Sequence, residues 1–201
     1  GGMKHLKSSL HGLRELFGHN VTVRHIAEPF ISFDGPRLSA DVRAVMEARD
    51  FDVAGVRRDG MVAGYVLRED LQHGTLDDHL QTFDPALLLE ESTPLSHALE
   101  ALAVSPRAFV LLLGQVAGIV TKGDLQKAPV RMWLFALLSL LEMQFLRIIR
   151  IEYPGDTWTG LITNDRLAMA SAQLTERKRR NEATDLADCL QFSDKRAIVA
   201  M

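Results

Sequence analysis

Gly64-Tyr65-Val66-Leu67-Arg68-Glu69-Asp70-Leu71 returns 54 residues later as Gly118-Ile119-Val120-Thr121-Lys122-Gly123-Asp124-Leu125. The same ungapped shift pairs Ala44 with Ala98, Ala54 with Ala108, Val56 with Val110, Gly60 with Gly114, Val62 with Val116 and Ala63 with Ala117. Ten identities in about thirty positions exceed what chance supplies, so the chain holds a tandem repeat. Each copy reads as helix, strand, tight turn, strand, helix.

Working outward, the first copy opens near Phe30-Ile31-Ser32-Phe33, and Asp34-Gly35-Pro36 is a turn signal. Ser39 is a candidate N-cap for a helix whose apolar face is Val42, Val45 and Met46 and which runs to about Arg49. Val53 to Val56 is a short buried strand. Asp59-Gly60 separates it from Met61 to Leu67, and Asp-Gly suits the positive backbone angles of a primed hairpin turn. A second helix is expected from Arg68 to about Gly74. Thr75 to Pro85 connects the copies. In the second copy Ala86 to Leu89 is the first strand, and Thr93 and Pro94 begin a helix with Leu95, Ala98, Leu99 and Leu102 inward. Ala108 to Leu113 and Val116 to Thr121 make the second hairpin, turned at Gly114-Gln115. The first of these strands is almost wholly apolar, so both its faces should be covered.

The chemistry lies at the end of each hairpin. An aspartate that opens a helix sits beside unpaired backbone N–H groups that stabilise its charge. Asp124 could also accept two hydrogen bonds from vicinal hydroxyls, as in a ribose. Thr121 could donate to a phosphate, and Lys122 could neutralise it. In the first copy Asp70 and Arg68 hold the matching places, but Leu67 stands where Thr121 has its hydroxyl. Helix capping alone would explain both aspartates.

With these motifs the chain resembles a pair of cystathionine-β-synthase (CBS) domains, a Bateman module. The family's mark is glycine, an apolar residue, any residue, Ser or Thr, two residues, then Asp. Gly118, Ile119, Thr121 and Asp124 match it throughout; Gly64, Tyr65 and Asp70 match it except at Leu67. The resemblance covers residues 20–130. It implies an α/β (α+β) fold of two small three-stranded sheets with helices on their faces, in a pseudo-twofold arrangement. It also implies a cleft for AMP, ADP, ATP or S-adenosylmethionine, with the adenine between strand residues such as Ala108 and Phe109, or Val53 and Ala54. Plain core packing is the alternative role for those four. The resulting division is an N-terminal helix over 3–19, domain one over 20–80, domain two over 81–129, and a helical C-terminal extension over 130–201.

Composition bounds the rest. The 201 residues are 47% apolar and 24% charged, ordinary for a chain that can bury a real core. A net charge of −3 argues against nucleic acid or an anionic membrane as partner of the whole chain. Cys189 is the only cysteine, so no internal disulfide and no cysteine zinc site can form. His5, His11, His19 and His25 are spread out with no carboxylate cluster near them, and no metal is expected. Gly1-Gly2 before Met3 reads as a cloning remnant, no signal peptide is visible, and a reducing cytoplasm is the expected compartment.

Beyond Gln126 the character changes. A helix from Val130 to about Glu152 carries an uncharged run, Met132 to Leu141, too short by itself to cross a bilayer. A helix apolar all round must be covered on several sides, by the following segment and by its own copy in a homodimer. Tyr153-Pro154-Gly155-Asp156 breaks it, and further helices follow. The basic run at Arg177 to Arg180 is read as a solvated helix end. No histidine follows His97, no Walker motif or dinucleotide fingerprint is present, and no catalytic group is assigned. The expected function is a ligand-sensing regulatory module, needing no fixed cofactor, that signals to its helical extension or to a regulated protein. The alternative is a CBS-pair interaction or dimerisation module without a nucleotide.

Overall fold

A computed structural model describes residues 21–201; the expected helix over 3–19 lies outside them. The chain divides into two compact units, one reaching to Trp133 and one from Leu134 onward.

The first unit contains the repeats. β1 (Glu28–Pro29), β2 (Ser32–Asp34), α1 (Ser39–Ala48), β3 (Val53–Arg58) and β4 (Met61–Leu67) are followed by β5 (Leu88–Glu90), α2 (Leu95–Val104), β6 (Arg107–Leu112) and β7 (Gln115–Thr121). In each repeat a short strand runs parallel to the first hairpin strand, β2 on β3 and β5 on β6, and the hairpin itself is antiparallel. Both hairpins break register at the same place, between Val56 and Arg57 and between Val110 and Leu111. The fold is α+β, and the tandem arrangement implied by the CBS resemblance is the one the chain adopts, except that the second sheet has four strands instead of three, because β1 joins it alongside β7.

The linkers cross. β1 pairs with β7, and Val23 and Arg24 donate to the carbonyls of Thr93 and Glu91, so the segment ahead of the first repeat lies on the second. Reciprocally, Gln81 exchanges both backbone hydrogen bonds with Tyr65 of β4, at 2.8 and 2.9 Å. Thr22 bridges to Pro94 as Leu38 does to Thr75. Such reciprocal exchange is what a pseudo-twofold relation between repeats requires.

Several details depart from the sequence reading. Ser39 aligns with Leu95 and Ala48 with Val104, a shift of 56, whereas Val53 aligns with Arg107, a shift of 54. The burial pattern agrees: Val42 matches Ala98 and Met46 matches Leu102, all buried. Ala44 is therefore not the counterpart of Ala98; the second repeat has a shorter link between helix and strand. Ser39 is not a cap but the first helical residue after Leu38, and its buried hydroxyl has no partner. Likewise Pro94, not Thr93, precedes α2. The second turn is Leu113-Gly114, because Leu112 and Gln115 are paired across it. No full helix follows the first hairpin; Arg68–Asp70 is a single 3-10 turn, and Lys122–Gln126 is little longer. Leu71 packs fully buried in the first core and ends that turn early.

α3 (Ala128–Glu152) leads into the second unit, with α4 (Asn164–Arg179) and α5 (Phe192–Val199). Pro129 sits in the first turn, where a missing N–H costs nothing. Positive φ at Gly155 and Asp156 turns the chain after Tyr153, as the Pro-Gly-Asp break predicts. Ile149, Trp158, Ala170, Ala187, Cys189, Leu190 and Ile198 then form one core. Burying each large side chain contributes roughly 1.5–3 kcal/mol. α3 departs from expectation in length and cover. Its most apolar window has a mean hydropathy of 1.7, so by length and composition it could cross a membrane, and only 17% of that window is buried. Its C-terminal half is nonetheless tied to the helical unit: Ile149 is fully buried, Arg150 pairs with Asp185 and Asp188, and Glu142 pairs with the buried Lys195.

Candidate functional site

The second hairpin delivers Thr121 to the end of β7, and the next turn brings Asp124 back beneath it. Asp124 Oδ2 accepts from the Thr121 backbone N–H at 2.7 Å and from its hydroxyl at 3.0 Å. Its other oxygen, Oδ1, lies 2.9 Å from Lys127 Nζ. Lys127 also reaches the Ile26 carbonyl at 2.6 Å and the Glu28 carboxylate. Burial alone would lower the Lys127 ammonium, but the carboxylates of Asp124 and Glu28 outweigh it and hold it above its ordinary value. Asp124 is 7% exposed, and these bonds engage both of its oxygens. The capping role is thus made, with Lys127 as a partner the sequence reading did not assign.

In front of this turn lies a cleft of about 480 Å³. Thr121, Lys122 and Asp124 form one wall, Val53 and the linker residues Glu28 to Ile31 another, and Arg107 and Asp50 to Asp52 line it as well. Asp50 and Asp52 are both paired with Arg68, at 3.6 and 2.5 Å. Among the described residues neither Lys122 nor Arg107 has an ion-pair partner. The uncommitted charges on the cleft wall are therefore cationic, and they suit an anionic group. Arg107 was not foreseen. Its sequence signal is a single charged residue opening an otherwise apolar strand.

Other expected residues fall elsewhere. Ala54 and Ala108 are fully buried in the cores under the sheets, and Phe109 is 1% exposed. None of the three lines the cleft: Ala54 and Ala108 take the face opposite to Val53 and Arg107, and Phe109, on the face of Arg107, is covered by the neighbouring rings. Phe109 centres an aromatic cluster with Phe30, Tyr65 and Phe83, at centroid separations of 5.2, 5.0 and 4.6 Å. Arg68 lines a second recess of about 400 Å³ with Arg43, Glu47, Asp52, Leu67, Glu69 and Arg107. Asp70 is outside that lining and accepts from the Gln81 side-chain amide at 3.0 Å. The two motifs are consequently unlike: where Thr121 caps its turn, Leu67 has nothing to offer, and the linker takes the aspartate instead.

The motif glycines have a steric cause. A Cβ on Gly64 would stand 2.3 Å from the Gln81 carbonyl oxygen and 2.6 Å from Leu80 Cδ1. On Gly118 it would stand 3.3 Å from the Glu28 carbonyl oxygen. Each glycine lets a crossing linker lie against its hairpin.

No protein-family model matches the chain, and no curated protein matches it. Solved structures similar to it are CBS-domain proteins. CBSX2 from Arabidopsis thaliana is 19% identical, over 57% of this chain and 94% of that one, with a TM-score of 0.47. The CBS domain pair of protein MJ0100, in complex with 5-methylthioadenosine and S-adenosyl-L-methionine, is 16% identical over 52% and 95%, with a TM-score of 0.45. The CBS domain of a bacterial CNNM/CorC family Mg2+ transporter is 16% identical over 64% and 86%, with a TM-score of 0.46.

Proposed function

We propose that this chain is a regulatory ligand-sensing module, without catalytic activity, that binds an adenosine-containing ligand in the Thr121–Asp124 cleft. The observation that carries the reading is the pairing of a polar turn with two uncommitted cations, Lys122 and Arg107, around one cleft. In this reading Val53 and the linker flank the base, Asp124 takes ribose hydroxyls, and Thr121, Lys122 and Arg107 hold a phosphate. AMP, ADP, ATP and S-adenosylmethionine are the candidate ligands. The signal leaves through Lys127. It is bonded to Asp124 and immediately precedes α3, whose first N–H groups donate to its carbonyl. A ligand that draws Asp124 away changes that contact, and about 1–3 kcal/mol of coupling is enough for regulation. The recipient is residues 130–201 or a regulated protein bound to them, and the working form is a homodimer.

A thermal-shift panel tests this, since a ligand that binds only the folded state raises its apparent stability. The panel takes AMP, with which CBSX2 has been crystallised, the two MJ0100 ligands, and ADP and ATP. One of them should raise the melting temperature. If a nucleotide is the ligand, Lys122→Ala and Arg107→Ala should each weaken it by roughly 1–3 kcal/mol in calorimetry, while adenosine affinity stays unchanged. Asp124→Ala should weaken both. A panel with no shift favours the second reading, an interaction module without a nucleotide, for which Asp124 capped by Thr121 and Lys127 is sufficient explanation.

A further inference from the structure

We infer that α3 is an antiparallel self-association helix, and that its occupant is α3 of a second copy of this chain. This reading goes beyond the cleft and is independent of what the cleft binds. Leu134, Leu138, Leu141, Phe145 and Ile148 succeed one another at spacings of four, three, four and three. That alternation is the a/d pattern of a two-helix seam. Leu134, Leu138, Leu141 and Ile148 are 49, 48, 45 and 37% exposed, although the same helix buries Trp133, Ala136, Leu140 and Ile149 elsewhere on its surface. These four are therefore outside the contacts by which the helix joins its own fold. Phe145, against Phe192, is half-buried in the middle of the seam.

The ends of the seam decide the occupant and its direction. Continuing the same spacing outward reaches Arg131 on one side and Glu152 on the other. Neither has an ion-pair partner among the described residues. A parallel pair would set Arg131 against Arg131 and Glu152 against Glu152, like charges in both cases. An antiparallel pair sets Arg131 of each copy against Glu152 of the other. The twofold axis then passes beside Leu141, and Leu138 of one copy faces Phe145 of the other. A lipid surface would satisfy the leucines but would leave Glu152 and the heptad spacing without a reason.

Cross-linking of the full chain tests direction, because Cys189 is buried and does not compete. Leu141→Cys should give a disulfide-linked dimer on mild oxidation, and Leu134→Cys should not. Preferential linking through Leu134→Cys overturns the antiparallel assignment. Sedimentation at micromolar concentration should show twice the 22.4 kDa chain mass. Arg131→Glu or Glu152→Arg alone should raise the dimer dissociation constant by roughly tenfold, and the two together should restore it. These four positions are exposed, so circular dichroism should be unchanged in every variant. A monomer at all concentrations, failure of the double swap to rescue, or binding to phosphatidylcholine–phosphatidylglycerol vesicles by a monomeric chain would each overturn the proposal.

Discussion

At the residue scale, the repeated glycine is a contact, not a hinge. Gly64 and Gly118 occupy matching places, yet the space over them differs by about an ångström, 2.3 against 3.3 Å to the nearest carbonyl oxygen. Gly64→Ala must push the backbone of Gln81 away and should cost roughly 1–3 kcal/mol, the range for overpacking. Gly118→Ala meets Val110 Cβ at 3.1 Å and should cost less than half as much. Urea melts of the two variants compare them directly; equal losses would mean that the linker over β4 does not set the tolerance. The glycines could be read from the sequence because they repeat. Their reason could not, since the atoms they avoid belong to linker residues, Gln81 and Glu28, and to Val110 of the neighbouring strand.

At the element scale, the two hairpins use the same turn with unequal chemistry. Asp59 and Gly60 have φ of 52° and 79°, and Leu113 and Gly114 have 52° and 77°. Aspartate tolerates the left-handed region and leucine does not, and Leu113 is 94% exposed, so nothing compensates it. Leu113→Asn should stabilise the chain by about 0.5–1 kcal/mol, read as a higher denaturation midpoint with unchanged slope. The sequence places this turn one residue late because leucine argues against it; cross-strand pairing overrides that preference. In the helical unit, partial burial works to raise the Asp188 carboxyl, but the Asp185 backbone N–H and the Arg150 guanidinium outweigh it and leave it below the ordinary value. A carboxyl depressed on folding stabilises above its unfolded pKa and loses that contribution as pH falls through the folded value. Trp158 fluorescence, read in a Trp133→Phe background, should therefore report loosening of this core as pH drops below about 4. Asp188→Asn should be less stable at neutral pH and flatter over the acid range. An unchanged acid profile in that variant would remove Asp188 from the account.

At the scale of the whole molecule, the repeats are alike in topology and unlike in occupancy. Beside the first motif, Leu67 lacks a hydroxyl, the Gln81 amide holds Asp70, and Phe83 packs against both Tyr65 and Phe109. The recess beside the first motif is lined by Leu67, Arg68 and Glu69 but not by Asp70, which the linker amide holds, whereas Asp124 lines the cleft of the second. A ligand should bind once per chain, with a calorimetric stoichiometry near one. Two equivalent sites would contradict this asymmetry, and a single site abolished by Asp70→Asn but indifferent to Asp124→Asn would place it on the wrong side.

Local chemistry made much of this legible from the chain alone. The spacing of identical residues announced two copies, alternation and Asp-Gly marked the hairpins, and Leu67 against Thr121 marked their inequality. Pro154 and Gly155 marked the end of the long helix. Such features depend on a residue and its near neighbours, which a sequence displays. Tertiary structure decided the remainder. It showed that Ala54 and Ala108 take the buried face of their strands while Val53 and Arg107 face the cleft, because the face a strand residue takes is set by the register of its partners, and that Phe109 is covered by neighbouring rings. It committed Asp124 to Lys127 and Asp70 to Gln81, and it sent each linker to the opposite repeat. It also left Leu134, Leu138, Leu141 and Ile148 of α3 exposed while burying Trp133 and Ile149. Hydrophobic periodicity says that a side chain seeks cover, but only the packed chain shows which faces have already found it.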